Sequence, residues 1–438
     1  MTLPSLLHVM FLTHEFHQIV LIKRHSRGMN THIHVERFGH ARRALNISVV
    51  TETFPPDING VAHTLSKMVS GLQANGHDIW LVRPRQQKTQ LAQSGQGFNE
   101  LLVKGMPIPF YKQLRMGLPA KKELHRLWSF KRPDVVHIAT EGPLGWSALQ
   151  VARKLRIPVS TDFRTNFHAY SSHYGIGWLS GAILSYMRKF HNAADATMVP
   201  TQQLADSLHN SGFERLQVVP RGIDTLLFSP AKRSHFLRDS WKATENQIVM
   251  LYVGRLAAEK NLKLVLQTYA MAKQRTPDIK LVLVGDGPMR AELEQAHTDV
   301  IFAGFRTGED LAAHYASADM FVFASQTETF GNVTLEAMAS GLAVVAFKHA
   351  AAGELIHSGI NGMLASHDSG VHFEMAAQAL LNNPELMTYV RQQACVTANA
   401  MGWDMIVEKT ESVMYDVLRQ REQHYTGSSA MAVPVGLV

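Results

Sequence analysis

Residues 320–341 read MFVFASQTETFGNVTLEAMASG: a four-residue apolar run, a polar loop, and an amphipathic segment closed by Gly341. The spacing predicts a strand over Met320 to Phe323, a loop, and a helix starting at Gly331-Asn332. Glu328 and Glu336 stand eight positions apart, one in the loop and one inside the helix. A carboxylate accepts hydrogen bonds from two hydroxyls at once, which suits the vicinal diol of a sugar or ribose. The unpaired N–H groups of a helix start suit phosphate oxygens. Taken singly, each glutamate reads as an ordinary surface charge. Their meaning depends on what the rest of the chain brings to them.

The same strand–loop–helix unit recurs on both sides. In the first half the strand candidates are Asn46 to Thr51, Asp78 to Val82, Asp134 to Ile138, Val159 to Thr161 and Ala196 to Val199. In the second they are Ile248 to Val253, Leu281 to Val284, Val300 to Ala303, Met320 to Phe323 and Ala343 to Phe347. Short apolar runs alternating with amphipathic stretches indicate parallel sheets covered by helices. A length of 438 residues fits two such domains. The turn-rich stretch from Pro220 through Pro230 places their boundary near residue 228. The expected organisation is therefore a leader at 1–44 that is disordered or mispredicted, domains at 45–227 and 228–402, and a closing helix at 403–425. Histidines crowd the leader without metal spacing, and Met29 is a candidate true start.

Two loops can hold a diphosphate. After the first strand, Pro55-Pro56-Asp57-Ile58-Asn59-Gly60 must turn into a helix, and Gly60 lets a ligand approach the backbone. After the first strand of the second half, VGRLAAEKN sets Arg255 and Lys260 past the strand's carboxyl end, where open α/β sheets bind ligands. Two such cations can neutralise a diphosphate that gains charge as it leaves. VLVGDGPMR at 282–290 imitates a dinucleotide fingerprint, but Arg290 stands where its third glycine belongs, so a turn with Pro288 opening the next helix is the better reading.

Composition narrows the class. The single cysteine, Cys395, permits no internal disulfide and suits a reducing, cytoplasmic setting. No run approaches a spanning helix, and the first 22 residues lack the basic start of a signal peptide. Residues 1–225 hold 26 Lys+Arg against 14 Asp+Glu, whereas 226–438 hold 17 against 22. The basic half admits an anionic membrane surface or a charged acceptor. The segment from Tyr174 to Lys189, apolar and aromatic with a basic end, reads either as a membrane-docking helix on the inner face of the plasma membrane or as a core helix. Nucleic acid is not expected, since no basic module interleaved with aromatics is present.

Glu328 and Glu336 together resemble the E-x7-E signature of glycosyltransferase family 4, the retaining GT-B enzymes. Gly254, Arg255 and Lys260 resemble that family's G-R-x4-K pattern, and Asn59-Gly60-Val61 its first glycine loop. The resemblance covers roughly residues 45–425. It implies an α/β protein of GT-B class, with two Rossmann-like parallel-sheet domains facing across a cleft. It further implies that Arg255 and Lys260 bind the donor diphosphate, Glu328 the transferred sugar and Glu336 the ribose. The backbone at Gly331, Asn332 and Val333 would contact sugar and phosphate, and Gly60 would close the site from the first domain. The expected activity is transfer of mannose or glucose from a nucleotide diphosphate sugar to a lipid or glycan hydroxyl, as in bacterial relatives. No D-x-D occurs in the chain, so neither metal nor other cofactor is expected.

Two departures fall on the acceptor side. The family's His-x-His is here His137-Ile138-Ala139, leaving His137 as a catalytic candidate or a packing residue. The family's H-T-N-F is Arg164-Thr165-Asn166-Phe167, followed by His168 and Tyr170, so Arg164 either meets an anionic acceptor or makes a structural ion pair. Three alternatives stay open: an epimerase or a hydrolase of nucleotide sugars sharing the fold, or a non-catalytic carbohydrate-binding protein.

Overall fold

The computed structural model describes residues 19–26, 31–38, 43–57, 59–87, 89–108, 111–164, 180–366 and 369–429. His168, Tyr170 and the start of the proposed docking segment, 174–179, lie outside these. Within residues 1–44, Ile19–Ser26 (β1) and Thr31–Phe38 (β2) pair antiparallel, with Ile19 opposite Phe38 and Ser26 opposite Thr31. This ribbon is a unit of its own.

The remainder carries two sheets. The first has eight strands: Asn46–Val50 (β3), Asp78–Pro84 (β4), Ser94–Gly95 (β5), Phe98–Val103 (β6), Val135–Ile138 (β9), Val159–Asp162 (β10), Ala196–Val199 (β11) and Leu216–Val218 (β12). Their order is β12-β11-β10-β9-β3-β4-β6-β5. Every neighbouring pair is parallel except β5 with β6. Gly105–Ile108 (β7) and Tyr111–Gly117 (β8) form a separate antiparallel hairpin. The second sheet has six strands: Val249–Val253 (β13), Lys280–Val284 (β14), Ile301–Gly304 (β15), Met320–Phe323 (β16), Ala343–Phe347 (β17) and Met363–Ala365 (β18). It is wholly parallel, in the order β15-β14-β13-β16-β17-β18.

Helices cover both faces, so every residue of β9, β10, β11, β13, β16 and β17 is buried. Continuous apolar runs are the sequence trace of such strands, which is why the expected strands match the observed ones to within one or two residues. Of the strands not anticipated, β5, β6, β12 and β18 lie at or next to a sheet edge, and the pairs β1–β2 and β7–β8 lie outside the two sheets. β6 shows the reason: its six residues mix Asn99 and Glu100 with apolar ones, and only Glu100 and Val103 are buried.

Each sheet reverses its strand order at one place. In the first sheet, β3 has β4 on one side and β9 on the other; in the second, β13 has β14 and β16. The loops leaving β3, β9, β13 and β16 must diverge there, which opens a crevice at the carboxyl ends of the strands.

After the second sheet the chain returns. The helix Trp403–Ser429 packs on the helix Gly60–Ala74 of the first half. Glu411 accepts hydrogen bonds from Asn75 Nδ2 at 2.7 Å and pairs with His77 Nε2 at 2.8 Å, and Arg421 makes two bonds to Asp195 at 3.0 and 2.9 Å. At Gly71 the two helices touch: a Cβ there would stand 2.3 Å from Val407 Cγ2. Val407 is β-branched and stiff, so it cannot swing aside. Gly71→Val should therefore destabilise the protein by about 1–3 kcal/mol, visible as a lowered midpoint in thermal unfolding.

Candidate active site

The loop after β13 begins at Gly254. The loop after β14 lies directly on it, since a Cβ on Gly285 would fall 1.9 Å from the Gly254 carbonyl oxygen. Close backbone packing therefore accounts for the glycines of VLVGDGPMR, and the following helix, Arg290–Ala296, starts two residues later than Pro288. Beyond Gly254, Arg255 points outward with a side chain 39% exposed, its Nη1 3.6 Å from the buried Glu259. Tyr252 Oη donates to the Arg255 carbonyl at 3.0 Å and holds the loop. Lys260 closes a short 3-10 turn, Ala258–Lys260. Its ammonium, on a side chain only 12% exposed, lies 2.5 Å from Glu328 Oε1.

Glu328 sits in the loop after β16. Its Oε1 also accepts from Ser325 Oγ at 2.8 Å, and His349 Nε2 lies 3.1 Å from its carbonyl. Among the described residues its Oε2 has no partner. Gly331 follows with φ 85° and ψ 67°, a left-handed conformation that favours glycine. It opens the helix Asn332–Ala339, which no side chain caps. The N–H groups at Asn332 and Val333 are thus left facing the crevice.

Gly60 opens the helix Gly60–Ala74 from the other half. The Cβ position of Gly60 lies 3.9 Å from Asn332 Nδ2, so two helix N-termini from opposite halves meet. Asn59 caps the first of them, accepting from Ala62 N at 2.9 Å, and is itself held by Thr53 Oγ1 at 2.8 Å. Two positive helix ends, with Lys260 on Glu328 in the loop that leads into the second, make a site suited to an anion. Further along the second helix, Glu336 is half-buried and takes a hydrogen bond from the buried Tyr315 hydroxyl at 2.9 Å. Burial pushes its carboxyl up to about 7, against the opposing pull of the Tyr315 bond.

Comparison with known proteins bears on what this anion site serves. Residues 58–226 match the family described as Glycosyltransferase Family 4, and residues 247–383 that described as Glycosyl transferases group 1. A GDP-mannose-dependent alpha-mannosyltransferase of Corynebacterium glutamicum is 31% identical, over 90% of this chain and 92% of its own length. The chain belongs to glycosyltransferase family 4. An alpha-monoglucosyldiacylglycerol synthase of Streptococcus pneumoniae is 27% identical over 78% of this chain and 80% of its own. Among solved structures, Anabaena HepE in complex with UDP and glucose superposes with a TM-score of 0.66, at 18% identity, over 85% of this chain and all of that one. Sucrose-phosphate synthase from Thermosynechococcus elongatus gives 0.67 at 18% identity, over 86% of this chain. These likenesses show the GT-B fold, and the family makes this chain a hexosyltransferase.

On the acceptor side the family 4 chain differs from the sequence expectation. His137 is not a pocket residue here. It is wholly buried in β9, between β3 and β10, with Nδ1 3.0 Å from Ser160 Oγ and Nε2 4.0 Å from Asp162. Burial pulls its imidazole down to about 4, against the raising effect of Asp162. The geometry favours the packing alternative for His137 over the catalytic one. Arg164 is also buried, paired with Asp162 Oδ2, while Arg221 Nη2 reaches Asp162 Oδ1 at 3.2 Å. Burial raises the Asp162 carboxyl, but the two guanidiniums and His137 outweigh it and hold it below the ordinary range. The ion-pair alternative for Arg164 is the one the geometry favours.

Glu52, two residues past β3, carries no local signal that marks it in the sequence. The side chain turns toward the next unit: Oε1 accepts from Leu144 N at 3.2 Å, at the start of the helix Pro143–Lys154.

Proposed function

We propose that this glycosyltransferase moves mannose or glucose, with GDP-mannose the first donor to test, to a hydroxyl of a lipid or glycan acceptor, with retention and without a metal. The observation that carries the reading is the meeting of Gly60 and Asn332, with Lys260 on Glu328 in the loop before Asn332. Cationic side chains and helix ends there supply the charge that a metal supplies elsewhere. Arg255 and Lys260 take the diphosphate, with Gly254 letting their loop turn close. Glu328 Oε2 accepts from sugar hydroxyls, the backbone of Gly331, Asn332 and Val333 holds phosphate and sugar, and Glu336 takes the ribose diol. In the reaction the bond from C1 to the phosphate oxygen breaks and the acceptor oxygen bonds to C1 from the same face. The acceptor proton passes to the departing phosphate. The named relatives, mannosyltransferases and a glucosyl-lipid synthase, support this donor and acceptor class.

Contact with an anionic membrane through the basic first half belongs to the same proposal, since Arg188 and Lys189 are exposed at the end of the helix Ser180–His191. Among the described residues no helix is long and apolar enough to cross a membrane.

A thermal-shift panel of GDP, UDP and ADP, followed by turnover of the matching sugars with and without EDTA, tests the reading. A raised midpoint and EDTA-insensitive transfer are expected. No response to any nucleotide, or donor hydrolysis that an acceptor does not divert, would overturn it.

Glu336 adds a pH dependence. Its folded carboxyl titrates near 7 rather than at the usual 4.5, and only the carboxylate accepts from both ribose hydroxyls. Nucleotide affinity should be about tenfold weaker at about pH 6 than at about pH 8, and flat in Glu336→Gln, by calorimetric titration. Unliganded stability runs the other way. A raised carboxyl stabilises the fold below its unfolded value and loses that contribution as pH rises through about 7.

A further inference from the structure

At the switch point of the first sheet, three side chains converge that the donor chemistry does not use. Glu52 leaves β3 and lays its carboxylate across the start of the helix Pro143–Lys154. A Cβ on Gly142 would stand 2.1 Å from Glu52 Oε1, so only glycine leaves room for it. Oε1 is occupied by Leu144 N, whereas Oε2 has no partner among the described residues, and the side chain is half-buried. The Glu52 N–H donates to Thr140 Oγ1 at 2.9 Å, which ties the two cleft-end loops of β3 and β9 together.

Two aromatic rings stand at the same helix start. Trp146, in the first turn of the same helix, is half-buried, and its ring centroid is 5.8 Å from that of Tyr186. Tyr186 is 41% exposed, and its hydroxyl donates to the carbonyl of Glu141. Glu141 is the residue before Gly142, whose Cβ position Glu52 Oε1 fills, so the Tyr186 hydroxyl and the carboxylate meet the same turn of chain. Thr53, next in the chain, bonds the cap residue of the Gly60 helix, so the group stands in the same crevice as the donor loops.

An aromatic ring offers its face to the C–H side of a sugar, and a carboxylate accepts from its hydroxyls. We propose that Glu52, Trp146 and Tyr186 form the acceptor subsite, and that it recognises a hydroxyl-rich headgroup, a sugar ring, through a hydroxyl other than the attacking one. This rests on the glycosyltransferase reading of the site and adds the acceptor class to it. Glu52 takes no proton in the transfer; it holds the acceptor ring while the phosphate receives the proton. Burial, and to a lesser extent Glu141, lift its carboxyl to about 7, with the Leu144 bond opposing. Such a carboxylate is a strong acceptor when ionised.

A purely structural Glu52 would cap the helix and do nothing else. The Glu52→Gln variant separates the two roles, because its amide oxygen can still accept from Leu144 N while the anionic oxygen is gone. The probe is octyl glucoside, below its micelle concentration, titrated calorimetrically into the GDP-saturated protein. Glu52→Gln should bind it about tenfold or more weakly, as should Tyr186→Ala, with GDP affinity and thermal midpoint of Glu52→Gln unchanged. With monoglucosyl-diacylglycerol in mixed micelles, the Glu52→Gln KM for acceptor should rise while donor KM stays. Equal octyl glucoside affinity in wild type and Glu52→Gln, or no binding to wild type, overturns the subsite. Failure of every nucleotide to bind would instead strike the donor reading.

Discussion

Lys260→Ala should lower kcat at saturating nucleotide sugar by about 10²- to 10³-fold. The ammonium sits at the donor crevice on a side chain 12% exposed, where little water screens it. Charge grows on the departing diphosphate as its bond to C1 stretches, so a fixed cation counts more in the transition state than in the bound donor. Its removal also leaves Glu328 Oε1 with the neutral Ser325 hydroxyl, an uncompensated carboxylate beside an anion. Lys260→Arg keeps the charge and should recover part of the rate. Arg255→Ala should cost less, since that guanidinium is 39% exposed and solvent screens it. Single-turnover kinetics reads the chemical step directly, and unchanged rates in both alanine variants would remove these residues from the mechanism.

Asp319→Ala should destabilise the second half by about 3–5 kcal/mol. Asp319 lies just ahead of β16. Its Oδ2 accepts from Arg238 Nη1 and from the Val249 N–H, both at 3.0 Å. Its Oδ1 faces Arg391 at 3.3 Å and Arg233 at 3.4 Å. Arg238 is 1% exposed, and its further bonds run to the carbonyls of Ser317, Thr244 and Gln247. Without the aspartate, the buried cation keeps neutral acceptors and the exposed Glu245 at 3.6 Å but loses its buried counter-charge. That loss is a large share of the stability of an ordinary domain. Asp319→Asn, which still accepts from Val249 N, should fall between wild type and alanine in urea unfolding. An alanine variant within 1 kcal/mol of wild type, to about the precision of the method, would show that the cluster contributes little.

Asp319 reads in the sequence as a charge between a helix and a strand, and nothing local marks it as a hub. The donor loops were legible because their signals are local. A buried parallel strand is a continuous apolar run, and Gly254, Gly331 and Gly60 each follow or open an element at the carboxyl end of such a strand. Arg255, Lys260, Glu328 and Glu336 could therefore be placed on one side of one sheet before any contact was known. The strands β6 and β12 left no comparable trace, because they mix polar and apolar residues as a loop does, and β18 is only three residues long.

What tertiary structure decided lies in sheet order and long-range pairing. His137 follows the same rule as its neighbours in β9, but a strand covered on both faces gives no sequence sign of which residue meets substrate. Its burial, with Nδ1 on the Ser160 hydroxyl, favours a packing role. Arg164 found its counter-charge in Asp162, which Arg221 shares from the linker between the halves. Glu52 became visible only when the β3–β9 adjacency brought it to Leu144. By itself the sequence determined the two α/β halves and the cleft-end loops that carry the proposed donor residues, because periodicity, glycine turns and charge placement are properties of adjacent residues. The meeting of Gly60 with Asn332, the burial of His137 and the Glu52 corner came from the fold, because each joins segments that only the order of strands makes neighbours.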